Sequence, residues 1–116
     1  MKLLVDFFKI LSDETRLRIL VLLFHQKLCV CELCGIMDES QPKVSKHLAR
    51  LRDIGIIEAQ REEQFMFYYL TIKDNLFNSI IKDIINNIDD YPVLKNDIEK
   101  SKDALKYIEM KKNSLK

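Results

Sequence analysis

Apolar residues recur at helical spacing from the start of the chain: Leu3, Leu4, Phe7, Phe8 and Leu11 share one face of a helix over residues 3–11. Ser12-Asp13 then offers side chains to free backbone N–H groups. A second helix follows, in which Ile19, Leu20, Leu22, Leu23 and Phe24 leave little polar surface. Residues 28–37 read as a short third helix or turn-helix, ended by the polar triplet Asp38-Glu39-Ser40. Ser40 is placed to cap a fourth helix over Gln41 to Ile54, with Pro42 in its first turn. Gly55 supplies a left-handed stop, and the pattern becomes extended over residues 56–61 and 65–71, joined by Glu62-Glu63-Gln64 as a hairpin. Helical period returns through Leu76, Phe77, Ile80, Ile81, Ile84, Ile85 and Ile88, an unusually wide apolar face that wants a partner. Asp89-Asp90-Tyr91-Pro92 interrupts it. From Val93 to about Lys112 the pattern predicts one charged helix with Leu94, Ile98, Leu105 and Ile108 on one side.

This order predicts a mainly α fold: a winged helix-turn-helix with a two-stranded β-wing and flanking dimerisation helices. We assign residues 1–92 to a DNA-binding and dimerisation domain and residues 93–116 to a charged helical extension without an assigned role. A chain of 116 residues with 47% apolar content suits one small core. Two glycines leave no Gly-rich loop for a nucleotide phosphate. The longest apolar run, Ile19 to Phe24, is too short for a bilayer, and the first residues carry no signal-peptide pattern. A cytoplasmic protein with no membrane partner is expected.

Charge changes the picture locally. The chain carries 19 basic and 18 acidic residues, so bulk electrostatics alone predict no nucleic-acid binding. Yet Lys43, Lys46, Arg50 and Arg52 fall within Gln41 to Arg52 with no acidic residue among them. Val44, Leu48 and Leu51 direct one face of this fourth helix into the core, which turns Lys43, Lys46, His47 and Arg50 outward, with Ser40, Gln41 and Ser45 near its N-terminus. An apolar face that locks the angle and an outer face that reaches phosphates and base edges are what a recognition helix needs. A merely solvated amphipathic face is the alternative. On the wing, Arg61 and Gln64 are candidates for the adjacent groove or backbone, whereas the strand aromatics are read as packing.

Candidate chemistry is concentrated in Cys29, Cys31 and Cys34, the only cysteines in the chain. In a regular helix Cys31 and Cys34 share a face, but Cys29 and Cys31 point roughly 200° apart, so three sulfurs converge only if the first turn is unwound around Cys29. Helix N-termini and nearby cations are expected to favour the thiolate, the form that ligates. Three thiolates without a fourth ligand suit a soft pyramidal ion, As(III), Sb(III) or Bi(III); His25 as a fourth ligand would favour Zn(II) or Cd(II). Buried core cysteines and a thiol redox switch remain alternatives. No oxyanion hole or orienting third group accompanies a Cys–His pair, so no catalytic residue and no organic cofactor are assigned.

Three segments carry a resemblance: Asp13-Glu14-Thr15-Arg16-Leu17-Arg18-Ile19-Leu20, Leu28-Cys29-Val30-Cys31-Glu32-Leu33-Cys34, and Ser40 through Arg52. Together they closely resemble the arsenical-resistance repressors of the ArsR family of winged-helix metalloregulators, over Leu3 to about Ile88. The resemblance implies a homodimeric repressor that holds operator DNA and releases it when As(III) or Sb(III) binds. It carries over Cys29, Cys31 and Cys34 as ligands and Gln41, Lys43, Ser45, Lys46, His47 and Arg50 as DNA contacts. Relatives that sense Cd(II) or Pb(II) add N-terminal cysteines, and those that sense Zn(II) place Asp and His on the helix after the wing; residues 1–28 contain no Cys and residues 72–92 no His. Glu62-Glu63-Gln64 stands where the family's wing often has a Gly. The helix Leu76 to Ile88, with Phe7 and Phe8, is the expected dimer face, which would set two recognition helices about one DNA turn apart.

Overall fold

A computed structural model describes residues 1–114; Leu115 and Lys116, the end of the expected 93–116 extension, lie outside the described residues. Helix α1 (Lys2–Leu11) leads into α2 (Glu14–His25), whose start is capped by the Asp13 carboxylate accepting the Arg16 backbone N–H at 2.9 Å. The run Ile19–Leu23 is buried, so α2 forms the centre of the core. The chain then enters strand β1 (Leu28–Cys29), helix α3 (Val30–Met37) and helix α4 (Gln41–Ile54). Asp38 ends α3 in the left-handed region, with φ 54°, and Gly55 ends α4 there, with φ 88°. Val44, Leu48 and Leu51 are fully buried, as their spacing predicts.

Two longer strands, β2 (Ile57–Glu62) and β3 (Phe65–Leu70), form the wing, with Glu63 in the left-handed region at its tip. The sheet is one strand wider than expected. Leu28 pairs with Tyr68 and Cys29 with Phe67, giving the order β1-β3-β2, antiparallel throughout. Residues 28–37 are therefore not one helix: strand pairing claims the first two before α3 begins.

Helix α5 (Asn75–Asn86) is capped by Asp74 and followed by a single 3-10 turn at Ile88–Asp90. Phe7 of α1 stacks on Phe77 of α5 at 4.0 Å between ring centroids, which puts Phe7 in the core and corrects its expected place on a dimer face. Phe8, Leu3 and Leu76 do remain about half exposed.

The predicted single helix after Pro92 is two helices, α6 (Pro92–Ser101) and α7 (Leu105–Ser114), because the chain turns at Lys102–Ala104. That turn rotates Leu105 out to solvent and seats Ala104 inside in its place, while Ile108 is buried as its spacing predicts. Arg18 on α2 donates to both carboxylate oxygens of the buried Asp97, at 2.8 Å each, and Gln26 donates to the Ser101 carbonyl at 3.1 Å. Among the described residues no helix is long and apolar enough to cross a membrane.

Removing one partner of a buried ion pair strands the other charge. Asp97→Ala should lower the unfolding free energy by about 3 kcal/mol in a urea titration, whereas Lys95→Ala, which breaks an exposed pair with Asp89, should leave the urea midpoint almost unchanged. Equal effects from the two substitutions would contradict a structural role for the Arg18–Asp97 pair.

Candidate thiol site and nucleic-acid interface

Pairing with β3 holds Cys29 in extended backbone, φ −90° and ψ 171°, as the residue immediately before α3. The buried Glu32 carboxylate accepts the Cys29 backbone N–H at 3.0 Å and so fixes the helix start from the other side. Cys29 therefore stands outside the helical ladder, where a regular helix would have turned it away from Cys31. Cys29 and Cys31 bring their sulfurs to 2.8 Å, and Cys34 follows one turn along α3 on the face of Cys31. All three are free thiols that line one open cavity of about 800 Å³. Among the described residues no group of three or more His, Cys, Asp or Glu side chains stands close enough together to hold a metal ion.

The expected thiolates are not what the surroundings favour. Burial, with the hydrogen bond to Cys31, pushes the Cys29 thiol well above its ordinary value, and burial does the same to Cys34. Burial also raises the Glu32 carboxyl. His25 is exposed, and its Nδ1 lies 3.0 Å from the Val21 carbonyl of its own helix; it is not among the residues that line the cavity.

Beyond the sulfurs the cavity is walled by Phe65 and Met66 of the wing and by Tyr107 and Met110 of α7, and it includes Gln41 at the start of α4. These wall residues were not identifiable as site residues from their own spacing. One signal was available: Gly35, inside α3. A Cβ there would lie 2.1 Å from the Tyr107 ring, so glycine at this position is what allows α7 to approach.

Along α4, Lys43, Lys46 and Arg50 are exposed. Gln41 donates to the Ser45 hydroxyl at 2.6 Å, and Lys43 pairs with Glu39 at 3.1 Å, a surface contact that a phosphate can replace at small cost. His47 departs from the expected outward group: its side chain is only 16% exposed and its Nε2 lies 3.9 Å from the Asp13 carboxylate. The backbone bond from Arg16, more than His47 itself, holds the Asp13 carboxyl below its usual value. Arg61 is exposed on β2, and Gln64 sits exposed at the wing tip.

The chain matches the family model described as "Bacterial regulatory protein, arsR family" over residues 13–59, the stretch from the α2 cap to the middle of β2. It is similar to the arsenical resistance operon repressor of Escherichia coli K12, 47% identical over 68 residues, which are 58% of this chain and 58% of that protein. Two solved structures agree on the fold. HlyU from Vibrio cholerae superposes with a TM-score of 0.65 at 32% identity, covering 72% of this chain and 85% of that one. The antimony-specific transcriptional repressor AntR superposes at 0.63 with 30% identity, covering 75% and 78%. The chain belongs to the arsR family of bacterial regulatory proteins. Its alignments span about half the length of the first curated relatives, 58%, 50% and 57%. In this arsR-family chain α6 and α7 lie beyond the matched 13–59 segment, yet α7 walls the thiol cavity.

Folding keeps the Cys29 and Cys34 protons on. The associated stability is fully present below the ordinary thiol value of 9.0 and is lost as pH climbs above it toward the raised folded values. Melting temperature should therefore drop between about pH 8 and about pH 10.5, and drop less in Cys29→Ala; matching pH slopes in the two proteins would refute the assignment.

Proposed function

We propose that the protein is a metalloid-responsive transcriptional repressor that binds operator DNA as a homodimer and lets go when As(III) or Sb(III) is bound by Cys29, Cys31 and Cys34. The observation that carries this reading is the sulfur pair at 2.8 Å, with Cys34 and Gln41 lining the same cavity. Gln41, Lys43, Ser45, Lys46, His47, Arg50 and Arg61 are the DNA contacts in this reading, His47 acting chiefly through its hold on α2. The half-exposed Phe8, Leu3 and Leu76 support a second copy of the chain as the partner across α1 and α5.

Neutral thiols favour this ligand class over divalent ions. Arsenous acid arrives as a neutral trihydroxide: three thiols exchange their protons for three As–S bonds and release three waters, so no charge must be buried and no proton set free. Zn(II) or Cd(II) would have to displace protons from these thiols into solvent, and the burial of Cys29 and Cys34 works against forming their thiolates. The names of the similar proteins, an arsenical repressor and an antimony-specific one, support the same choice.

The close sulfurs also favour a second reading, oxidation of Cys29 and Cys31 to a disulfide. Peroxide would take two electrons and two protons from the thiols and leave as two waters. One experiment separates the two. In an anisotropy titration on operator DNA, arsenite should release the wild type and leave Cys31→Ser bound at least about tenfold longer in ligand concentration. Release by peroxide alone, with arsenite inert, would select the redox reading.

DNA contacts have their own measure. Arg50→Ala should weaken operator binding and reduce the slope of log K against log salt by about 1, with little dependence on sequence; an unchanged slope would take Arg50 off the phosphate backbone.

A further inference from the structure

The wing by itself has the wrong charge for a nucleic-acid backbone. Between Ile57 and Leu70 there are three carboxylates, Glu58, Glu62 and Glu63, against a single cation, Arg61. Exposed carboxylates repel a phosphate within about 8 Å at physiological salt. Each of the three meets a cation from outside the wing: Arg52 of α4 lies 3.4 Å from Glu58, Lys27 pairs with Glu62, and Lys112 of α7 lies 3.7 Å from Glu63. Other lysines of the C-terminal helices behave differently. Lys95, Lys102 and Lys106 meet carboxylates near them in sequence, Asp89, Glu99 and Asp103, whereas Lys112 crosses to the wing. Its neighbour Lys111 is exposed and lines the same open cavity as Gln41, at the start of α4, and Gln64, at the wing tip. The end of α7 is seated there by Tyr107 against Gly35 and by the buried Ile108.

We propose that the end of α7 is part of the nucleic-acid interface: Lys112 neutralises the Glu63 carboxylate at the wing tip, and Lys111 contacts a backbone phosphate of double-stranded DNA between the wing and the start of α4. This rests on the DNA-binding reading of α4 and the wing, and it gives a role to a helix beyond the matched 13–59 segment. The partner is recognised through its phosphates, so the contact does not depend on base sequence. An exposed ion pair such as Lys112–Glu63 adds little to folding, and its weight lies in what can approach the wing tip. A lysine suits the second task, since its ammonium is a point charge on a long flexible stem that can follow a phosphate.

Fluorescence anisotropy of the full chain on a labelled DNA duplex of mixed sequence, repeated across a range of salt concentrations, tests this. Lys111→Ala should weaken binding and reduce the slope of log K against log salt by about 1 for each bound copy. Lys112→Ala should weaken binding about threefold at low salt, and the same substitution made together with Glu63→Gln should cost little. Lys95→Ala, which removes one exposed positive charge on α6, should match the wild type in affinity and slope and so controls for net charge. A slope unchanged in Lys111→Ala, or a Lys112→Ala loss that persists undiminished alongside Glu63→Gln, overturns the proposal. If Arg50→Ala weakens binding while Lys111→Ala and Lys112→Ala match the wild type, α7 is off the DNA and the repressor reading stands; if the wild type binds no DNA even at low salt, both fall.

Discussion

Everything about the thiol site depends on two residues leaving a helix. Leu28 and Cys29 have the apolar character that α3 could have used, but pairing with Tyr68 and Phe67 holds them in the sheet. Had the helix begun at Leu28, Cys29 and Cys31 would point to opposite sides. The strand instead places Cys29 just before the first turn, where an extended residue can fold its side chain back over the helix start. Glu32 reinforces the break by taking the Cys29 N–H, a bond that exists only if that N–H is outside the helical ladder. The third strand is therefore the device that turns three cysteines in sequence into a sulfur pair in space, with a third sulfur one turn away.

The other end of α3 is held just as firmly, on the side of α4. Arg18 Nη2 donates both to the Met37 carbonyl at 3.1 Å and to Asp97, its Nε donates to the other Asp97 oxygen, and its Nη1 lies 3.9 Å from Glu39 in the turn before α4. Glu39 in turn meets Lys43 on α4. One guanidinium thus connects α2, the end of α3, the turn and α6. Its planar fork can satisfy several acceptors at once, which a lysine could not do. A helix fixed at both ends transmits a pull at its N-terminus as a shift of the whole element, because packed interiors deform little within themselves.

Much of this was legible in the sequence, and the failures have physical causes. Periodicity located α1, α2, α4, the wing and α5, since each buries an apolar face of regular spacing. The spacing of Val44, Leu48 and Leu51 gave the angle of α4 without further information. Strand β1 was not legible: two residues are too few to display a period, and their pairing is decided by β3, some forty positions away. The turn at Lys102–Ala104 was hidden for a related reason. It contains neither Gly nor Pro, and only Ala104 and Ile108 packing inside force Leu105 outward. His47 was misplaced because helical phase puts it beside Lys46, while its ring can still lean to the Asp13 cap. The cavity wall from α7 could be inferred only from Gly35, and a single glycine does not say which residue approaches it.

The remaining question of energy is set by population arithmetic. To move a two-state protein from almost wholly one form to almost wholly the other requires roughly 5.5 kcal/mol of differential binding, which the two sites of the proposed dimer would divide between two ligands. A pre-formed sulfur pair contributes little to the difference, because it is present in the unliganded protein as well. In the proposed function the differential part would come from whatever the ligand changes, and Cys34, outside the close Cys29–Cys31 pair, is the sulfur left to move. In the proposed function Cys29 and Cys31 would capture the ligand, and Cys34 would convert capture into movement of α3.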